Sequence, residues 1–291
     1  MLKLRSRGRG RHYSVGRALV ESALSYAFAG NWPARVWARV PGATTVQQIN
    51  HELAVLPPGA APIRIGFISD IHIGPTTPPA TIEAGFELLR KAAPDVLLLG
   101  GDYVFQDVNT RKARTLAKHV DSVPARTKLA VLGNHDLWDR HELIEDELRK
   151  SGVGVLVNES VTLPPPFDHV TVVGLDDPWT GTPDPQRAFS SCPDHTTRVV
   201  LCHAPEVLPL VCDRDVAVVM CGHTHGGQIS TPSRPLFVHG HVGKKHWAGL
   251  HQRDGTTLCV SRGIGGIEVP MRLFADPDVV VLTLSARRDA Q

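Results

Sequence analysis

From Ile63 onward, apolar residues come in short, nearly unbroken runs. They are IRIGFIS (63–69), DVLLLG (95–100), KLAVLG (128–133), VTVVG (170–174), RVVLC (198–202), VAVVMC (216–221), TTLCVS (256–261) and VVVLTL (279–284). Runs this short, rich in Val, Ile and Leu and without strict alternation, predict strands covered on both faces. Between the early runs the period changes. Ile82, Phe86 and Leu89 stand at i, i+4 and i+7, and Leu137, Ile144 and Leu148 mark a second helical stripe within 137–150. Strands alternating with helices, then strand-rich sequence, predict an α/β layered domain. The stretches PPP (164–166) and DPWTGTPDP (177–185) predict surface loops.

The pattern before residue 61 is different. Lys3, Arg5, Arg7, Arg9, Arg11 and Arg17 precede the first acid, Glu21. Leu19, Val20, Ala23, Leu24, Ala27 and Phe28 then recur at helical spacing, followed by Trp32, Trp37 and the connector LPPGAAP at 56–62. This divides the chain into a basic amphipathic segment with its connector (1–60), a main domain (61–286) and a short tail (287–291). A basic amphipathic helix with aromatics lies on an anionic membrane surface, here through residues 1–40, or it packs on the main domain behind a solvated tail. Both readings stay open. No window approaches the roughly 18–20 apolar residues that span a bilayer. Ala18–Gly30 is too short, carries Glu21 and lacks a signal-peptide cleavage pattern.

Composition narrows the class. A 42% hydrophobic and 21% charged chain with net charge +2 is an ordinary globular protein. Its overall charge gives no argument for nucleic acid, and a basic run without interleaved aromatics or a groove motif is weak support for that partner. Five cysteines without C-x-x-C, three of them in strand-like runs (Cys202, Cys221, Cys259), predict reduced core thiols and an intracellular protein. The expected location is cytoplasmic, peripheral at the inner face of the cell membrane.

Chemistry enters at the strand ends. Asp70 and His72 follow the first run, Asp102 the second, and Asn134, His135 and Asp136 the third. His203 follows RVVLC, and His223 and His225 follow VAVVMC in the sequence VMCGHTHGGQ. Ligands of α/β sheets bind beyond the carboxyl ends of strands, so these groups can converge. A lone Asp in such a place is a turn residue or cap, and a lone His a packing residue. Five strands ending this way need another explanation. Carboxylates and imidazoles crowded together repel or pay for desolvation, and divalent cations relieve both. Two aspartates, an amide carbonyl and four imidazoles, with no thiolate, suit Mn, with Fe and Zn as alternatives. Seven donors are too many for one ion and divide over two if a carboxylate bridges. The paired glycines Gly226 and Gly227 let the backbone turn closely beside them.

D-x-H, G-D, G-N-H-[DE], H and G-H-x-H, in this order, resemble the calcineurin-like metallophosphoesterase superfamily over about residues 63–284. The resemblance implies a four-layer α/β/β/α sandwich of two mixed sheets with a two-metal centre. It implies Asp70, His72 and His225 on one ion, and Asn134, His203 and His223 on the other, with Asp102 bridging. It makes His135 the catalytic histidine, oriented by Asp136, and a metal-bridging hydroxide the nucleophile on a phosphodiester or pyrophosphate. The chain departs from the protein phosphatases of that superfamily: it reads GDYVFQD and GNHDLW, with Phe105 where an Asp is common.

SDIHIGP, GHTHGGQ and SRGIGGIEVPMRLFADPDVVVLTL resemble bacterial membrane- or envelope-associated phosphodiesterases. Some of these hydrolyse UDP-2,3-diacylglucosamine in lipid A assembly, which implies a lipid-linked substrate. The alternatives are a soluble nucleotide or nucleic-acid phosphodiesterase, or a non-catalytic binding protein on the same fold. The last should lack ligands, and none is missing. Lys244, Lys245 and Arg262 are candidate contacts to a second phosphate or the leaving group.

Overall fold

The computed structural model describes residues 7–40 and 42–287; Lys3, Arg5 and most of the tail lie outside them. Twelve strands are formed among these residues: β1 Gln47–Leu56, β2 Ile63–Ile68, β3 Val96–Leu99, β4 Thr127–Ala130, β5 Gly154–Val155, β6 Glu159–Thr162, β7 Val170–Gly174, β8 Thr197–Leu201, β9 Val216–Cys221, β10 Gly249–Arg253, β11 Thr256–Val260 and β12 Asp278–Ala286. They make two six-stranded sheets, β1-β12-β2-β3-β4-β5 and β10-β11-β9-β8-β7-β6. Both are mixed. In the first, β2, β3 and β4 run parallel and β12 is antiparallel to β2. In the second, β7, β8, β9 and β11 run parallel, with β6 and β10 reversed at the edges.

The two sheets face each other through an apolar layer built from Phe67, Leu98, Val131, Val172, Val199, Val218 and their neighbours. The outer face of the first sheet is covered by three helices whose apolar stripes turn inward, α3 Pro79–Ala92, α4 Thr110–Asp121 and α6 His141–Lys150. The predicted stripe of Ile82, Phe86 and Leu89 is buried in α3. The outer face of the second sheet carries only short helical turns, which seal Val173, Val200 and Val219 with Ala188, Val207 and Val211. Burial on both faces is why the strands read as continuous apolar runs.

Residues before the first sheet form two helices, α1 Val15–Ala27, capped by Ser14, and α2 Trp32–Trp37. A one-turn helix, α5 Asn134–Leu137, follows β4. The expected boundary at residue 60 differs from the structure: β1 lies inside the segment assigned to the N-terminal extension, yet pairs in parallel with β12 from Gln47↔Asp278 to Leu56↔Ala286. Its hydrogen bonds to β12 make it part of the first sheet. No helix among the described residues is long and apolar enough to cross a membrane. All five cysteines are free, and Cys202, Cys221 and Cys259 are buried in the sheets.

Candidate metal centre

Parallel strands bring their carboxyl ends to one edge of each sheet, and the polar residues collect where those edges meet. Asp70 and His72 follow β2, Asp102 follows β3, Asn134 and His135 open α5 after β4, His203 follows β8, and His223 and His225 follow β9. Asp70, His72 and His225 present donor atoms all within 4.8 Å of one another, and Asp102, His203 and His223 do the same. Asp102 lies between the groups. One of its oxygens is 3.2 Å from Nε2 of His203 and 3.7 Å from Nε2 of His72, while the other accepts the backbone N–H of His135 at 2.8 Å.

The donors are shaped for cations. Ring nitrogens of His72 and His225 face each other at 3.2 Å, as do those of His203 and His223. Nδ1 of His203 is 2.8 Å from the Gly100 carbonyl, a contact that places its proton there and turns the Nε2 lone pair into the centre. Among the described residues, the buried carbonyl oxygen of Asn134 and Nε2 of His223 have no hydrogen-bond partner. Burial holds His72, His223 and His225 well below the usual imidazole range, hence neutral, the form that donates to a metal. Burial, with Asp102 adding repulsion against the opposing pull of His203, pushes Asp70 up to about 6. For Asp102 burial is outweighed by His203 and His135, which hold it well below the carboxylate range. This donor set fits a pair of divalent ions.

Backbone strain marks the same places. Asp70, His72, Asp102, His223 and His225 all have left-handed φ, between 48° and 68°. Such conformations cost on the order of 1–3 kcal/mol each for non-glycine residues and persist where surroundings over-determine them. Gly227 has φ 80° and stands against Pro235, so a side chain there meets both penalties.

The remaining candidates fall differently. His135 packs edge-on to His72 at 5.0 Å between centroids, and its ring also touches Phe105 and Trp138 at 5.5 and 5.4 Å. Asp136 does not orient it: among the described residues its carboxylate makes no bond to that ring. Instead it accepts from the backbone N–H of Tyr103 (2.9 Å), Val104 (3.3 Å) and Gly133 (3.1 Å), tying the two loops together. Burial, reinforced by Asp102, pushes it up to about 8. Arg262 is committed to Asp278 at 3.1 Å and lines a different groove. Lys244 and Lys245 end a short helix, His241–Lys245, outside the walls of the central cavity.

That cavity, about 250 Å³, is walled by Asp102, Asn134, His135, His223 and His225 and also by Arg17, Trp138, Trp179, His239 and Glu268. Trp179 lies 5.4 Å from the His223 ring. Arg17 is brought in by α1, one face of which packs on the main domain. Its signal in the sequence is a charged i, i+4 pair with Glu21, the two charged residues of that helix. Arg272, half-buried, donates to the carbonyls of Gly265 (2.9 Å), Arg262 (2.8 Å) and Ala275 (3.0 Å) and stands 3.2 Å from Nδ1 of His225.

A crevice of buried carboxylates and imidazoles at the joined ends of two mixed sheets defines a metal-dependent phosphoester hydrolase fold. The model of the calcineurin-like phosphoesterases matches residues 63–227, and the chain belongs to that family. It is 31% identical over 242 residues to the phosphodiesterase YaeI of Escherichia coli (strain K12), covering 81% of this chain and 87% of that protein. It is 30% identical to an uncharacterized metallophosphoesterase of Aquifex aeolicus (83% and 92% covered). The uncharacterized metallophosphoesterase YkuE of Bacillus subtilis is 26% identical (84% and 85% covered). The enzyme is therefore a metal-dependent hydrolase of phosphoesters.

Proposed function

We propose that the chain hydrolyses a phosphodiester or pyrophosphate bond of a lipid-linked substrate, of the kind of UDP-2,3-diacylglucosamine, while resting peripherally on an anionic membrane surface. In this reading Asp70, His72 and His225 hold one ion and Asn134, His203 and His223 the other, with Asp102 shared. The ion pair, Mn²⁺ suiting these donors best, supplies Lewis acidity and an acidified water. His135 donates a hydrogen bond to the phosphoryl group or the leaving oxygen, a contribution of about 10²–10⁴-fold. Trp138 and Trp179 wall the cavity against bulk water.

The observation that carries the lipid reading is the orientation of α1. An amphipathic helix on a globular domain normally buries its apolar stripe. Here the half-buried Arg17 and Glu21 face the protein, and Val15, Leu19, Val20 and Tyr26 face solvent. On α2 Trp32 and Val36 are exposed as well, beside Arg35 and Arg39, which make no ion pair among the described residues. Exposed apolar side chains beside unpaired cations match an anionic bilayer surface. A second cavity of about 300 Å³ adjoins the metal centre through His223 and His225 and is walled by Ile229, Val238, Ile267 and Val269, with Leu236 and Phe237 at its rim. An acyl chain or another apolar group beside the scissile phosphate suits it.

The test is co-sedimentation with vesicles of phosphatidylglycerol or phosphatidylcholine, together with hydrolysis of UDP-2,3-diacylglucosamine, nucleotide diesters and bis(4-nitrophenyl) phosphate. Binding to the anionic vesicles, lost in Leu19→Asp/Val20→Asp, and preference for the acylated substrate are expected. Nucleotide preference without vesicle binding makes the chain a soluble nucleotide phosphodiesterase instead.

A further inference from the structure

Among the described residues the ring of His135 has no carboxylate partner of the kind that orients a catalytic histidine. Phe105 and Trp138 flank it, and its hydrogen-bonding neighbour among the described residues is Arg17, whose terminal nitrogen stands 3.4 Å from Nδ1. A guanidinium donates and cannot accept, so this contact is a hydrogen bond only when Nδ1 carries its lone pair. The ring proton of the neutral imidazole is then on Nε2. Arg17 is itself held firmly: Nε meets Glu21 at 3.0 Å, one terminal nitrogen meets Glu268 at 2.6 Å, and the guanidinium carbon lies 4.9 Å from the centroid of the Trp138 ring. Two carboxylates and an aromatic face leave the second terminal nitrogen directed at His135.

The helix carrying Arg17 is strapped down by the residues before it. Gly10 donates its N–H to the Leu137 carbonyl at 2.8 Å and Arg11 to that of Thr180 at 2.7 Å, while the Trp138 indole donates to the Arg11 carbonyl at 3.0 Å. Arg9 grips the buried Asp176 at 2.5 and 2.9 Å. The strap crosses both loops that wall the cavity, so the position of Arg17 is set by the catalytic domain itself.

We propose that Arg17 is a positioning residue for the phosphoester reaction: it fixes His135 as the Nε2–H tautomer and directs that N–H toward the substrate. The inference rests on the reading that His135 donates to the reacting group. The N-terminal helix thereby has two faces with two duties, an outer apolar one and an inner one that completes the catalytic site. The neutral imidazole serves as a hydrogen-bond donor, and no proton needs to leave or enter the Arg17 side chain.

The experiment combines a spectrum with a double-mutant cycle. In zinc-loaded, ¹⁵N-histidine-labelled protein, the ring of His135, assigned by its loss in His135→Ala, shows the Nε2–H pattern in the parent chain and a tautomer mixture in Arg17→Ala. With bis(4-nitrophenyl) phosphate, Arg17→Ala lowers kcat by about 10–100-fold with little change in KM, the scale typical of groups supporting an active-site histidine. Arg17→Lys restores part of the loss. Added to His135→Ala, Arg17→Ala costs nothing further, because both remove one interaction. If Arg17→Ala is poorly folded, Glu268→Gln, which loosens the guanidinium, gives a smaller loss of the same kind. An Nδ1–H ring in the parent chain, or additive losses in the double variant, overturns the proposal. An active His135→Ala enzyme instead removes the underlying role of His135 while leaving the tautomer result readable.

Discussion

Asp102 spans the centre: one carboxylate oxygen lies near His203 and His72, the other accepts the His135 backbone N–H. Replacing it by Ala removes the shared ligand and the anchor of the α5 loop together. Asp102→Ala is expected to lose all measurable turnover and most bound metal; elemental analysis of purified protein alongside a phosphodiester assay checks both. His135 stands at the rim and adds no donor to either group. His135→Ala should lose about 10²–10⁴-fold in kcat while keeping its metal, and metal loss in that variant would mean the side chain is a ligand.

The ligand candidates were legible only together: each alone reads as a cap or packing residue, and their shared position after five apolar runs is the signal. Arg17 and Trp179 were not legible. Nothing in local spacing says that Arg17, 118 positions before His135, and Trp179, which follows it in a separate loop, meet over one cavity, and only the strap and loop packing bring them there. The orienting role that the resemblance implies for Asp136 is not matched by its contacts: one helical turn points neighbouring side chains in different directions, and Asp136 bonds the backbone of Tyr103, Val104 and Gly133.

At the scale of elements, the central strands were readable, since burial on both faces leaves an unbroken apolar signature. The edge strand β1 was not. In QQINHELAVL the inward positions Ile49, Leu53 and Val55 are interrupted by His51 and separated by the exposed Asn50, Glu52 and Ala54, and only one face packs against the core. The α4 stripe of Ala113, Leu116, Ala117 and Val120 behind Asn109 stands at i, i+3, i+4 and i+7, a helical signal with two alanines in place of large apolar residues.

The strap gives the element-scale prediction. Burial of Asp176 opposes its charge, but Arg9 and the Thr182 N–H outweigh it and hold its pKa below the usual carboxylate value. A depressed folded pKa gives stability that is present above the unfolded value, about 4, and is lost as pH falls through the folded one. Asp176→Asn should therefore cost about 1.5–3 kcal/mol at neutral pH, with the gap to the parent closing under acid. Urea unfolding at several pH values measures it; a constant gap would mean that the Asp176 charge is not its source.

Taken whole, the molecule is a two-sheet body in which α1 lines the central cavity through Arg17 and turns Val15, Leu19 and Val20 to solvent. Charge and hydropathy averaged over the chain conceal this arrangement, because a net charge of +2 and an ordinary apolar fraction say nothing about which face a helix turns outward. Leu19→Asp/Val20→Asp should keep turnover on bis(4-nitrophenyl) phosphate and slow hydrolysis of vesicle-borne substrate. Equal slowing of both would show that these residues support the catalytic body and do not form a docking face.

The most direct test of the central claim is anomalous diffraction at the manganese edge from crystals soaked in Mn²⁺. The account predicts two peaks about 3.5–4 Å apart, one bound by Asp70, His72 and His225, the other by Asn134, His203 and His223, with Asp102 touching both. A single peak, or density lying away from these side chains, would contradict it.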